Sequence, residues 1–179
     1  MPWLSAVLSS AFLLVALLYL VRLTVRFRFG DVSHAAMAAG MAAMFSPLGD
    51  PVPSGAWAGV FVLCGAVAAP LSFRAGPGGA EARHHLVGSA AMLFMLFGGH
   101  HRADAPLGTG LGSVAALAMA GYFIGYVLWG VERALALRPT TATAGAAWLA
   151  RSGLLSPMTA FTTGALTALA MATMLLTMV

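Results

Sequence analysis

Two apolar segments of the chain carry the same side chains at the same spacing: a histidine, a methionine seven positions later, and another methionine three positions after that. The first set is His34, Met41 and Met44, and the second is His85, Met92 and Met95. In an α-helix, positions i, i+7 and i+10 lie on one face, so each segment would present one imidazole and two thioethers along a single stripe. These groups are ligands for soft and borderline metal ions, which include Cu(I).

Acidic residues precede the histidines of both segments. Asp31 lies three positions before His34, and Glu81 lies three positions before His84. A carboxylate that accepts a hydrogen bond from an imidazole orients that ring toward a metal ion. We therefore expect Asp31, Glu81 and His84 to support the metal ligands rather than to bind the ion themselves.

The ligands would lie at two levels along the helices. Met37 follows His34 by one helical turn, but His34 and Met44 are separated by a rise of about 15 Å, so one ion cannot contact both. If the two helices are parallel neighbours, His34 and His85 meet at one level. Four thioethers then meet at the next level, from Met41, Met44, Met92 and Met95.

A packing role explains the same residues without a metal. Methionine fills irregular gaps in helical bundles, and Asp31 would favour the start of its helix through the helix dipole. Met171, Met174 and Met178 also share one helical face, and no histidine accompanies them. Methionine stripes in this chain can therefore arise from packing alone.

A polar cluster follows the second segment. His100, His101 and Asp104 lie close together in the sequence and could capture a divalent or cupric ion outside the membrane. A solvated loop is the alternative explanation for this cluster.

The composition predicts an all-α integral membrane protein. The chain is 60% hydrophobic and 8% charged, a balance typical of membrane proteins. We expect one helical bundle over residues 1–179, with about six transmembrane helices separated by segments rich in proline and glycine. The predicted spans are residues 3–25, 31–45, 56–73, 84–99, 112–137 and 157–179.

The arginines predict the orientation of the bundle. The nine basic residues are all arginine, and eight of them lie in or beside alternate connections, on one side of the predicted membrane. Because basic loops stay in the cytoplasm, we expect both termini outside and the histidine ends of the two segments near the cytoplasmic face. The partners expected are the lipid bilayer and either further copies of the chain or a larger membrane complex. The charge reflects topology and does not indicate nucleic-acid binding.

Several functions are not supported by the sequence. No nucleophile with a base, no phosphate-binding loop and no paired-cysteine motif is present, so no catalytic residues are predicted and an ordinary enzyme is not expected. Cys64 is the only cysteine, which excludes a disulfide within the chain.

The sequence of residues 31–44, DVSHAAMAAGMAAM, resembles the marker helix of a family of actinobacterial polytopic membrane proteins catalogued as a domain of unknown function. The pattern is an acid, a histidine three positions later, and methionines at helical spacing, in a small chain of five or six spans. The resemblance implies a bacterial inner-membrane protein and adds weight to copper.

These observations lead to one expectation and two alternatives. We expect a protein that binds Cu(I) for storage, delivery or export. The expected ligands are His34, Met37, Met41, Met44, His85, Met92 and Met95. One alternative is a b-type haem protein with His34 and His85 as axial ligands, and the other is an accessory subunit without a cofactor.

Overall fold

The computed structural model describes residues 2–25, 27–100, 111–136 and 157–177, and these residues form six α-helices without a β-strand. In chain order they are α1 (Pro2–Val25), α2 (Phe29–Met44), α3 (Ser54–Ser72), α4 (Pro77–His100), α5 (Leu111–Ala136) and α6 (Pro157–Leu176). The predicted all-helical fold is confirmed. Most observed ends lie within two residues of the predicted ones, while residues 178 and 179 of the last predicted span lie outside the described residues.

The start of α4 is the main error in the sequence prediction. The helix begins at Pro77 rather than at His84 and has 24 residues, so it is about 36 Å long instead of a short helix. Proline suits the first position of a helix because its φ is already helical and its missing N–H would have no partner there. The following glycines, Gly78 and Gly79, were predicted to form a loop but lie inside this first turn.

Close packing explains why a glycine occurs at this helix start. A Cβ on Gly79 would collide with the carbonyl oxygen of Arg74, which lies in the turn between α3 and α4. Gly76, in the same turn, has a φ of 96°, a conformation that glycine adopts without strain. The two glycines therefore permit a tight connection between the helices.

The chain divides into two compact units, residues 1–107 and 108–179. In the first unit, α1 and α2 form one antiparallel hairpin, in which Ser9 Oγ donates a 2.7 Å hydrogen bond to the carbonyl of Ala42. Helices α3 and α4 form another, in which Arg83 donates a 3.0 Å hydrogen bond to the carbonyl of Ser72. The hairpins meet mainly through α2 and α4. In the second unit, α5 packs against α6.

Among the described residues, three helices are long and apolar enough to cross a membrane: Trp3–Val25, Ser54–Ser72 and Gly112–Glu132. Within the first unit, the outer helices α1 and α3 expose most of their apolar side chains, as lipid-facing helices do. Helix α2 has only 16 residues, and at about 1.5 Å per residue it is shorter than the bilayer core of about 30 Å. Nine of its residues are buried. The first unit thus places a short, buried helix behind lipid-facing neighbours.

Candidate metal centre

The contact between α2 and α4, which we call the α2–α4 seam, aligns the two histidine–methionine segments. Three close approaches set its register: Gly30 with Glu81, Met37 with Gly88, and Gly40 with Met92. Positions increase together along both helices, so the helices run parallel, as the sequence predicted. The partners are 51 or 52 positions apart, and His34 and His85 are also separated by 51. Equivalent positions of the two segments therefore lie at matching levels.

Glycines allow this close approach. A Cβ on Gly88 would lie 2.6 Å from Cε and 3.0 Å from Sδ of Met37, and a Cβ on Gly40 would lie 2.8 Å from Cε of Met92. Real Cβ atoms do not tolerate such distances, so each methionine fills space that a larger residue would occupy. The seam is consequently a tight packing of methionine against glycine.

Three histidines converge at one end of the seam. The ring centroids of His34 and His85 are 4.7 Å apart, with the rings almost perpendicular. His84 lies 6.1 Å from His34 and 5.9 Å from His85 by the same measure. We call these residues the histidine cluster. Buried imidazoles this close together are unusual in an apolar bundle, where polar groups generally mark a function.

The backbone orients the ring of His34. Its Nδ1 lies 2.9 Å from the carbonyl oxygen of Gly30. A carbonyl can only accept, so Nδ1 carries the hydrogen in the neutral ring and Nε2 keeps a lone pair that can bind a metal. Asp31 was predicted to orient this ring, but its carboxylate lies 3.4 Å from Arg22, so that expectation was wrong. The ring of Tyr19 stacks on His34 with centroids 4.9 Å apart and completes its surroundings.

His85 is the least satisfied polar side chain of the cluster. It is 1% exposed, and neither ring nitrogen has a hydrogen-bond partner within the described residues. Its Nε2 lies 3.9 Å from Oε1 of Glu81, one turn earlier on α4. That separation is too long for a hydrogen bond. Two ligands that each lie about 2 Å from one metal ion can be this far apart.

The position of His84 differs from the predicted one. It was expected at the first position of its helix, with Glu81 as its partner, but it is 4% exposed and lies two turns inside α4. The early start of α4 at Pro77 is the reason. The ring belongs to the histidine cluster, while the predicted supporting carboxylate of Glu81 lies beside His85.

Four of the predicted thioether ligands are buried. Met37, Met41, Met92 and Met95 are at most 3% exposed, whereas Met44 is half-buried. Met37 lies one turn beyond His34, and its sulfur lies near Gly88, one turn beyond His85. Met37 is therefore the predicted thioether ligand that lies nearest to the histidine cluster along the helices.

Two arginines of this region were missed by the sequence analysis as site residues. Arg22 pairs with Asp31, and both side chains are about nine-tenths buried. Arg28 lies 3.7 Å from Glu81, and both side chains are well exposed. The antiparallel α1–α2 hairpin brings Arg22 beside Asp31, a consequence that the predicted short connection between these helices could have indicated.

The predicted outer cluster falls mostly outside the described residues. His100 ends α4, whereas His101 and Asp104 lie beyond the described part of the chain. Within the described residues, no group of three or more His, Cys, Asp or Glu side chains is arranged to hold a metal ion. A site in the seam therefore needs thioether ligands or a small movement of the imidazoles.

The fold defines a helical membrane protein in which most of the buried polar side chains of the described residues lie on two contacting helices, α2 and α4. The chain belongs to the family of the domain of unknown function DUF5134, whose model matches residues 26–178 and so includes the seam. No curated protein and no solved structure matches the chain.

Proposed function

We propose that this protein binds Cu(I) in the α2–α4 seam and handles it for storage, delivery or export at a bacterial inner membrane. The membrane-crossing bundle would have both termini outside, as the arginine distribution indicates. The proposed ligands are His34, Met37, Met41, Met44, His85, Met92 and Met95.

The register of the seam is the observation that carries this proposal. Two copies of one soft-ligand pattern lie at matching levels on parallel helices, with His34 close to His85 and the thioethers of Met41 and Met92 buried farther along. Thioether and imidazole ligands favour Cu(I) over harder ions.

The spacing of the histidines favours a small ion over haem. In a b-type haem protein, the axial nitrogens of His34 and His85 would lie about 2 Å from iron on opposite sides, so the ring centres would be about 6 Å apart. The observed centroids are 4.7 Å apart, with perpendicular rings, and Gly30 packs directly against His85. This arrangement leaves no layer for a porphyrin between the rings.

The test is an anaerobic Cu(I) titration of the full-length protein in detergent against a coloured Cu(I) chelator. The variant carries Met41→Leu with Met92→Leu, which removes two thioethers at nearly constant volume. We expect it to lose most of the bound Cu(I). His34→Ala should weaken binding less, because it lies about two turns from the thioether level.

Met171→Leu on α6 is the matched control, since Met171 is 1% exposed and as buried as Met41 and Met92. It should leave Cu(I) binding unchanged. Equal losses in the control and the double variant would contradict a site in the seam. A haem absorption band that disappears in His34→Ala would support the haem alternative, and protein without metal or chromophore would support the accessory-subunit alternative.

A further inference from the structure

A cavity of about 250 Å³ opens at the histidine end of the seam. Arg28, Gly30, Leu71, Gly78, Glu81 and His85 are among the residues that line it. His85 is the only member of the histidine cluster on this wall, and both of its ring nitrogens lack hydrogen-bond partners in the described part of the chain. A buried, unsatisfied imidazole thus faces an open space large enough for several water molecules.

Glu81 connects the mouth of the cavity with this imidazole. One carboxylate oxygen lies 3.7 Å from Arg28, and the other lies 3.9 Å from Nε2 of His85. The side chains of Arg28 and Glu81 are 59% and 45% exposed, whereas that of His85 is 1% exposed. The carboxylate of Glu81 therefore lies between the exposed side chain of Arg28 and the buried imidazole of His85.

We propose that this cavity is the entry port through which a metal cation reaches the seam, with Glu81 and His85 as its first ligands. The Arg28–Glu81 ion pair closes the port. When the pair separates, the carboxylate attracts the cation, replaces part of its hydration shell and transfers it to Nε2 of His85. An exposed ion pair contributes little stability, so it can open readily. This inference rests on the proposed function and adds the route by which the ion enters.

A single substitution at Gly30 should block this port. A methyl group on Gly30 would lie against Oε1 of Glu81 and 3.2 Å from Nε2 of His85, between the two proposed first ligands. The flexible end of Glu81 can move aside, so the Gly30→Ala variant should fold. Gly78→Ala is the matched control, because Gly78 also lines the cavity but its added methyl would have no atom within 4 Å.

The first experiment measures the rate and the final amount of Cu(I) uptake by the full-length protein. We expect Gly30→Ala to slow uptake about tenfold while the final amount stays the same, and Gly78→Ala to behave as wild type. Leu71→Phe is a second plug that fills the cavity from α3 and should also slow uptake. Uptake at the wild-type rate in both plugged variants would overturn the port.

A second experiment needs no metal. Diethyl pyrocarbonate modifies accessible imidazoles, and fragmentation mass spectrometry separates His85 from His84. We expect His85 to react faster than His84, and Gly30→Ala to slow only the reaction of His85. Equal rates at the two histidines would overturn the port. If wild-type protein takes up no Cu(I) although His85 reacts through the cavity, the proposed copper function fails while access to His85 stands.

Discussion

The α2–α4 seam and the α5–α6 pair use similar packing but differ in their polar content. Each buries a methionine almost completely, Met41 in the seam and Met171 on α6. Each also places a glycine against a large side chain; in the second unit, a Cβ on Gly130 would collide with the ring of Phe161. Burial of methionine and close packing at glycine are therefore common to both units and do not by themselves indicate a metal site.

The buried polar groups separate the two regions. On α6, the hydroxyl of Thr167 donates a 2.9 Å hydrogen bond to the carbonyl of Thr163, so its own helix satisfies it. In the seam, His85 is buried without a hydrogen-bond partner among the described residues. An unsatisfied buried polar group costs free energy, and its presence calls for a function. The comparison indicates that the histidines, rather than the methionine stripes, distinguish the candidate site.

The largest expected difference between the regions concerns charge. Asp31→Ala would leave the buried guanidinium of Arg22 without its carboxylate partner. Loss of one member of a buried pair typically lowers the free energy of unfolding by about 3–5 kcal/mol. Glu132→Ala on α5 removes an exposed carboxylate and should change the free energy of unfolding by less than about 0.5 kcal/mol. Thermal unfolding in detergent measures both, and similar melting temperatures would contradict the buried ion pair.

A smaller effect is expected from the glycines. Gly40→Val would force Met92 and the ring of Phe61 apart and should lower the free energy of unfolding by about 1–3 kcal/mol. On α5, Gly125→Ala should be neutral or stabilising, because the added Cβ would have no atom of the described residues within 4 Å and alanine favours a helix. A stable Gly40→Val variant would show that the seam is looser than the contacts indicate.

The smallest stability effect is expected from the methionines. Met41→Leu and Met171→Leu should each change the free energy of unfolding by less than about 1.5 kcal/mol, since leucine and methionine have similar volumes. The two variants should then be alike in thermal unfolding and differ only in Cu(I) affinity. A large loss of stability in Met41→Leu alone would mean that altered folding explains any loss of copper.

The sequence predicted the helices well because long apolar segments between proline- and glycine-rich connections leave few alternatives. It also identified the 51-residue spacing of His34 and His85, which the register of the seam reproduces. The predicted start of α4 was wrong because Gly78 and Gly79 were interpreted as a loop, although Pro77 suits a helix start and Gly79 fits closely against the carbonyl of Arg74 in the preceding turn. This error also placed His84 at the start of its helix rather than two turns inside it.

The supporting groups of the site were harder to predict. Spacing along one helix suggested Asp31 for His34, but a carbonyl on the preceding turn orients the ring and Asp31 pairs across the hairpin with Arg22. Sequence spacing describes neighbours on one helix, whereas these partners depend on how two helices pack. The cavity beside His85 likewise arises from side chains of three helices.

X-ray absorption at the copper edge of the Cu(I)-loaded protein tests the central claim most directly, because it identifies the atoms bound to the ion. An ion at the level of Met41 and Met92 predicts sulfur neighbours at about 2.3 Å, and an ion at the histidine cluster adds nitrogen neighbours at about 2.0 Å. Met41→Leu with Met92→Leu should remove sulfur neighbours, while Met171→Leu should leave the spectrum unchanged. A first shell of nitrogen and oxygen alone, or a sulfur signal that persists in the double variant, would contradict binding by these methionines of the α2–α4 seam.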